Sequence, residues 1–159
     1  MGKDKILITG GAGFIGSNLA LKLAKDNYSV TILDNLSKQI HGENPFEDSW
    51  TFKQVLEQER INFIQGDVRD LNIWRSLISD HNIIYHLAAE TGTGQSMYQI
   101  SNYSEVNIHG TAQLFQALSE NQNHLVKKII YASSRAIYGE GKYLDSKGLV
   151  HYPKHRSID

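Results

Sequence analysis

The chain has no cysteine and only two prolines in 159 residues. The first absence excludes a disulfide framework and any thiolate nucleophile or metal ligand. The second, with no biased repeats, excludes a linker-rich or disordered chain. Neither sign of charge is in excess: 16 Lys+Arg face 17 Asp+Glu, for a formal net charge of −1. A dedicated nucleic-acid binder carries a basic surplus or stripe, so no nucleic acid is expected as a partner. No apolar run reaches the ~18 residues of a membrane span, so no membrane partner is expected either. The nearest approach is Ile6–Leu21, behind Lys3 and Lys5, which has the outline of a secretory leader. Four glycines and the polar Thr9, Ser17 and Asn18 break it up, and it reads as folded core. Gly2 lacks the Ser or Thr that a myristoylation signal needs where Ile6 stands. The seven histidines have no metal-ligand spacing. The cytoplasm is the expected location, and the chain is long enough to bury a real core.

What is present is an alternation of short apolar runs with longer amphipathic segments. The runs are Lys5–Thr9, Ser29–Asp34, Ile61–Gln65, Asn82–Ala88 and Lys128–Ala132. They are continuous rather than alternating, as in strands covered on both faces. Helices are expected over Phe14–Lys25, Phe52–Glu59, Leu71–Ile78 and Tyr103–Glu120. Strand–helix alternation builds a parallel sheet from βαβ units with right-handed crossovers. The expected fold is α/β, a doubly wound parallel sheet of order 3-2-1-4-5. Residues 35–50 read as a polar surface loop, and residues 139–159 as an irregular tail. No internal boundary is visible, so residues 1–159 are expected to form one domain.

Between the first run and the first helix lies Gly10-Gly11-Ala12-Gly13-Phe14-Ile15-Gly16. A diphosphate has dense charge and little shape, and it suits free N–H groups at the positive end of a helix. Gly10, Gly13 and Gly16 let the backbone turn tightly and come close to phosphate oxygens. The required context, strand before and helix after, is present. Asp34 ends the second run, where a carboxylate accepts from both hydroxyls of an adenosine ribose and repels a 2′-phosphate. The implied cofactor is NAD rather than NADP, with Lys38 the nearest cation to offset that repulsion.

Further stretches fall in register with these: Asp34-Asn35-Leu36, Gly66-Asp67-Val68-Arg69-Asp70, His86-Leu87-Ala88-Ala89-Glu90, Asn107-x-x-Gly110-Thr111 and Ser133-Ser134-x-x-x-Tyr138-Gly139. Together they resemble the extended short-chain dehydrogenases/reductases, in particular the NAD-dependent nucleotide-sugar epimerases and dehydratases, whose NAD domain is Rossmann-like. Thr91–Tyr98 resembles the branch of 4-epimerases that act on deoxysugar nucleotides. The resemblance implies that Gly10, Gly13, Phe14, Ile15 and Gly16 hold the pyrophosphate. Asp34 and Asn35 would bind the adenosine ribose, with Ser37 and Lys38 nearby. Asp67 and Val68 would meet adenine, and Leu87, Ala88 and Ala89 would form the floor. Thr91 would lie by the nicotinamide ribose, and Asn107 would brace the cofactor. Glu90, Thr93, Gln95 and Ser96 are expected on the rim of a site for a nucleotide-diphosphate sugar. His86, inside a strand, reads as a hydrogen-bonded core histidine rather than a catalyst.

Epimerisation at C4 removes hydride to NAD and returns it to the other face while a base takes the hydroxyl proton. The resemblance puts a polarising hydroxyl at Ser134, with Ser133 as runner-up, and a base in a Tyr-x-x-x-Lys pair on a later helix. Tyr143 and Lys147 fit the spacing but stand too close to Ser134, among glycines, and Tyr152 has Arg156 at the lysine position. The family pattern is about twice as long as this chain. The expectation is therefore an N-terminal NAD-binding portion, ending before the final strands, the catalytic pair and the sugar-binding region, and inactive alone. Arg135 and Ala136 stand where dehydratases have an acid pair, which disfavours dehydration. The alternatives are a non-catalytic dinucleotide-sensing module, or another extended short-chain reductase or dehydratase. The resemblance also implies a homo-oligomer formed through the helix at about Tyr98–Glu120, with Leu114, Phe115 and Leu118 left exposed.

Overall fold

The structure, a computed structural model, describes residues 3–153. Gly2 and Arg156 lie outside them. Five parallel strands, β1 (Lys5–Thr9), β2 (Ser29–Asp34), β3 (Ile61–Gln65), β4 (Ile83–His86) and β5 (Lys128–Tyr131), form a sheet of order β3-β2-β1-β4-β5. This is the expected doubly wound, Rossmann-like topology. The strand order reverses between β1 and β4, and a crevice opens there at the carboxyl ends of the strands.

The pleat sorts each strand's side chains onto two faces. Ile6 and Ile8 of β1, with Val30 and Ile32 of β2, pack with Ala20 of α1 (Phe14–Lys25) and with Phe52 and Val55 of α4 (Trp50–Leu56). Leu7, Leu33 and Ile84 face the other way, onto Trp74 and Leu77 of α5 (Leu71–Leu77) and Leu114 and Ala117 of α8 (Gly110–Glu120). All of these are buried. Both faces are covered, which is why the strands read as unbroken apolar runs.

Polar groups in this core are paired. Trp74 Nε1 donates to Val68 O at 2.7 Å. His81 Nδ1 donates to Leu77 O, and its Nε2 pairs with Thr31 Oγ1, each at 2.8 Å.

Three stretches differ from expectation. Residues 35–50 contain two one-turn helices, α2 (Lys38–His41) and α3 (Pro45–Asp48), the second opened by a proline at its first position. Within 139–153, β6 (Tyr143–Leu144) and β7 (Val150–His151) make an antiparallel hairpin. Asp145 closes it by accepting from the N–H groups of Lys147 and Leu149. Tyr143 and Lys147 thus lie on a hairpin, not a helix. The long helix runs from α7 (Ile100–Ser104) through a π-helical turn, Glu105–His109, into α8. A short helix α6 (Thr93–Ser96) precedes it.

Candidate functional site

The crevice is a cavity of about 660 Å³. Its near wall is the turn from β1 to α1, where glycine has a different reason at each position. A Cβ on Gly16 would stand 2.2 Å from Gly10 O, and one on Gly11 would stand 2.3 Å from Ile32 Cβ. One on Gly10, whose φ is +66°, would stand 2.8 Å from Ala88 N. These three are required by the fold itself. Gly13 is different: a Cβ there meets only Gly10 O, at 3.4 Å, and its φ of −70° suits any residue. Gly13 is also the N-cap of α1, with no side chain capping the helix. The first N–H groups of α1, those of Phe14, Ile15 and Gly16, have no intrahelical acceptor and lie at the positive end of the dipole. An uncapped N-terminus behind a glycine the protein does not itself need fits a diphosphate.

Asp34 lies at the end of β2, 7% exposed. Its Oδ2 accepts from Ala12 N–H at 3.0 Å and its Oδ1 from Leu36 N–H at 2.9 Å. His41 Nε2 stands 3.3 Å from Oδ1. The carboxylate therefore ties the glycine turn to the chain after β2. A carboxylate has about four lone-pair directions, which leaves capacity for a ligand hydroxyl.

The far wall comes from the ends of β4 and β5. His86 ends β4, 6% exposed. Thr9 Oγ1 accepts from the N–H groups of Leu87 and Ala88, so its own proton goes to His86 Nδ1, at 2.8 Å. The imidazole proton is then on Nε2, facing Thr111 Oγ1 at 3.1 Å, and Thr111 donates onward to Asn107 O. Burial lowers the His86 pKa to about 4, so the ring is neutral. It holds the floor in place as a core histidine. Asn107, in the π-helical turn, accepts from Glu90 N–H at 2.8 Å and donates to Glu90 O at 3.1 Å. Thr91 O accepts from Tyr103 Oη at 2.6 Å and from Gln39 Nε2 of α2 at 3.4 Å, a contact that spans the crevice mouth.

Most expected residues meet in this one cavity. Gly10, Gly13, Phe14, Ile15, Gly16, Asp34, Asn35, Ser37, Val68, Leu87, Ala88, Ala89, Glu90, Thr91 and Asn107 all line it. Several others do not. Lys38 turns away to Glu43, 2.7 Å off, because α2 directs His41 inward instead. Asp67 lies outside the lining, its carboxylate held by Arg69 Nε at 2.9 Å, Arg69 Nη2 at 2.7 Å and Asn35 Nδ2 at 3.1 Å. The Arg69 hydrogen bonds lower its pKa to about 2 against the opposing effect of burial. Thr93, Gln95 and Ser96 stand on exposed α6, away from the cavity. Ser133 lines the wall and Ser134 does not. Asn107 reaches the crevice through the Glu90 backbone. His41, Tyr131 and Thr111 also line it. No sequence motif marks His41 or Tyr131, and Thr111 belongs to the Asn107-x-x-Gly110-Thr111 stretch. Among the described residues no cluster of His, Asp and Glu is arranged to hold a metal, and no helix is long and apolar enough to cross a membrane.

A doubly wound sheet with a glycine turn, an uncapped helix N-terminus and a strand-ending acid at its switch point defines a dinucleotide-binding fold. Residues 6–156 match the NAD dependent epimerase/dehydratase family, and the chain belongs to it. It is 40% identical over 154 residues to the dTDP-L-rhamnose 4-epimerase of Burkholderia thailandensis, covering 96% of this chain and 40% of that one. With the mouse UDP-glucose 4-epimerase it shares 33% identity over 143 residues, 89% of this chain and 40% of the other. Among solved structures it superposes on a UDP-glucose 4-epimerase from Brucella ovis in complex with NAD, with a TM-score of 0.67 and 27% identity, covering 86% of this chain and 38% of that one. The chain thus spans about 40% of the length of the relatives it matches.

Proposed function

We propose that residues 1–159 form the NAD-binding domain of a cytoplasmic nucleotide-sugar 4-epimerase that works as a homo-oligomer, and that this stretch alone turns nothing over. The observation that carries this reading is the shared cavity of the Gly13–Gly16 turn and Asp34. The turn offers main-chain donors to a diphosphate, and the carboxylate offers an acceptor to the ribose attached to it. The two relatives named above are 4-epimerases, which supports the reaction class.

NAD, when bound, supplies the hydride acceptor and donor for the sugar C4. The chain's own residues bind and orient it. The N–H groups of Phe14, Ile15 and Gly16 neutralise the diphosphate. Asp34 accepts from a ribose hydroxyl in the direction that Ala12, Leu36 and His41 leave open. A 2′-phosphate in that place would face the buried carboxylate with Lys38 already engaged by Glu43, so NADP is disfavoured. Leu87, Ala88 and Ala89 give a small-residue floor that excludes water. Ser133, on the wall after β5, is the better placed of the two serines to polarise a sugar oxygen.

Titration calorimetry with NAD and NADP tests this. NAD is expected to bind more tightly than NADP. Asp34→Ala is expected to weaken NAD about tenfold or more, the loss of a hydrogen bond to a charged group. Equal binding of both dinucleotides, or an unchanged affinity in Asp34→Ala, would overturn the assignment.

A further inference from the structure

Gln39 reaches from one wall of the crevice to the other. It stands exposed on α2, and its Nε2 donates to Thr91 O and to Tyr103 Oη, each at 3.4 Å. Tyr103 Oη in turn donates to Thr91 O at 2.6 Å, with Gly92 O at 3.1 Å sharing the proton. Gln39 is thereby joined to residues 52 and 64 positions away in the chain. Both anchors are held from below. His41, on the same turn as Gln39, meets the Asp34 carboxylate at 3.3 Å. The loop that carries Thr91 is held at Glu90 by the Asn107 amide.

The two anchors belong to opposite layers of the fold. α2 leads through α3 into α4, which packs with α1 on one face of the sheet. Tyr103 stands on α7, which runs through the π-helical turn into α8 on the other face. The anchors also follow different strands, Gln39 after β2 and Thr91 after β4, with β1 between them. A strand spacing of about 4.8 Å puts those two strands roughly 10 Å apart. The crevice lies between the layers over the end of β1. Its lining includes Ser37, Ile40 and His41 beside one anchor, and Glu90 and Thr91 at the other. The Gln39 contact is therefore a strap across the top of the crevice, and a dinucleotide laid over the strand ends from Asp34 toward Ala88 passes beneath it. Two long hydrogen bonds in contact with water have a small net worth, so the strap is easily undone.

We propose that the Gln39 strap is a gate for the dinucleotide, opening to admit and to release it while holding neither half of it. The inference rests on the crevice being the NAD site. A gate has a kinetic signature that a binding contact lacks. Exchange in both directions passes through the open state, so both rates scale with its population and their ratio, the affinity, stays nearly constant. A side chain that held the ligand would act on release alone.

The test is stopped-flow fluorescence with NADH on the wild-type chain, Gln39→Ala and Tyr103→Phe, with release followed by displacement with excess NAD. In Gln39→Ala, association and release are both expected to rise about tenfold, the population shift from losing two weak hydrogen bonds, with little change in affinity. Tyr103→Phe keeps the bond from Gln39 to Thr91 O and should fall between Gln39→Ala and wild type. Melting curves should stay near wild type, because the Gln39 side chain is exposed. The chain has no cysteine, so a short bis-maleimide can tether Gln39→Cys to Tyr103→Cys and to nothing else. With the strap held shut in this way, exchange should slow about tenfold or more against the same variant untethered. Unchanged rates in Gln39→Ala, or a tethered chain that exchanges as fast as the untethered one, overturn the gate. Faster release with unchanged association overturns it too and makes Gln39 a ligand contact. Failure of the wild-type chain to bind NADH overturns the crevice reading and the gate with it, whereas tight binding with unaltered kinetics in the variants overturns the gate alone.

Discussion

At the scale of single residues, His86 couples the floor of the crevice to stability. Its pKa is about 4 when folded, lowered by burial from an ordinary value of 6.5. Between those limits the unfolded chain takes up a proton on this ring and the folded chain does not. Stability therefore falls as pH drops from about 6.5 to about 4, by about 3 kcal/mol in all, and is unaffected above that window. Denaturant unfolding at pH 7, 5.5 and 4 checks this: His86→Gln should lose about 3 kcal/mol less than wild type over the range, and equal losses would exclude the imidazole as the cause. Asp67, with its pKa lowered to about 2, acts in a separate window, since the stability it adds is lost only below about pH 4. Residue identities that follow from a strand were legible in the sequence: Asp34 closes an apolar run and His86 stands inside one. What a run does not tell is direction around a turn. Lys38 is nearer Asp34 in sequence, yet one turn of α2 brings His41 to it, and the turn after β5 presents Ser133 rather than Ser134.

At the scale of elements, the β1–α1 unit separates glycines that serve the fold from one that serves a ligand. Gly16→Ala drives a Cβ into the Gly10 carbonyl, and backbone cannot move aside as a side chain can. It should cost about 3 kcal/mol or more, lowering Tm by roughly 6 °C or more. Gly13→Ala meets no such barrier and should cost within about 1 kcal/mol, the ordinary preference for glycine over alanine at an N-cap, while weakening NAD clearly. Thermal melts and calorimetry on the pair separate the two roles; a Gly13→Ala chain that melts like Gly16→Ala would refute the distinction. The strands and α1 were legible because burial on two faces leaves an unbroken apolar run and burial on one leaves a helical stripe. The one-turn helices of residues 38–48 and the β6–β7 hairpin were not, since elements of two to four residues are too short to show a period. The π-helical turn has the same cause: it shifts the stripe between Val106 and Leu114 without breaking it.

At the scale of the whole molecule, the sheet order followed from strand–helix alternation and crossover handedness, because few other arrangements bury both faces. The surface followed less well. Leu114 is fully buried against the sheet and Leu118 packs beside the same cluster, so neither belongs to an exposed face. The stripe that faces outward on the long helix holds Ile108, 70% exposed, and Phe115, 48% exposed, one heptad apart, with the small Ala112 between them. Seven residues make nearly two full turns, so Ile108 and Phe115 lie on one line along the helix. A small residue between two large ones suits close helix–helix contact, and such a stripe left in water favours self-association. The chain is therefore expected to form a symmetric dimer through this helix, eluting with light scattering at twice the monomer mass. Phe115→Glu places like charges against each other across the two-fold axis and should weaken the dimer about thirtyfold or more, as loss of a central aromatic anchor does. Its circular dichroism should not change, because Phe115 supports no buried cluster. A wild-type chain that stays monomeric at high concentration, or a Phe115→Glu dimer as tight as wild type, would remove this stripe as the interface and leave the exposed β5 edge of the sheet as the next surface to examine.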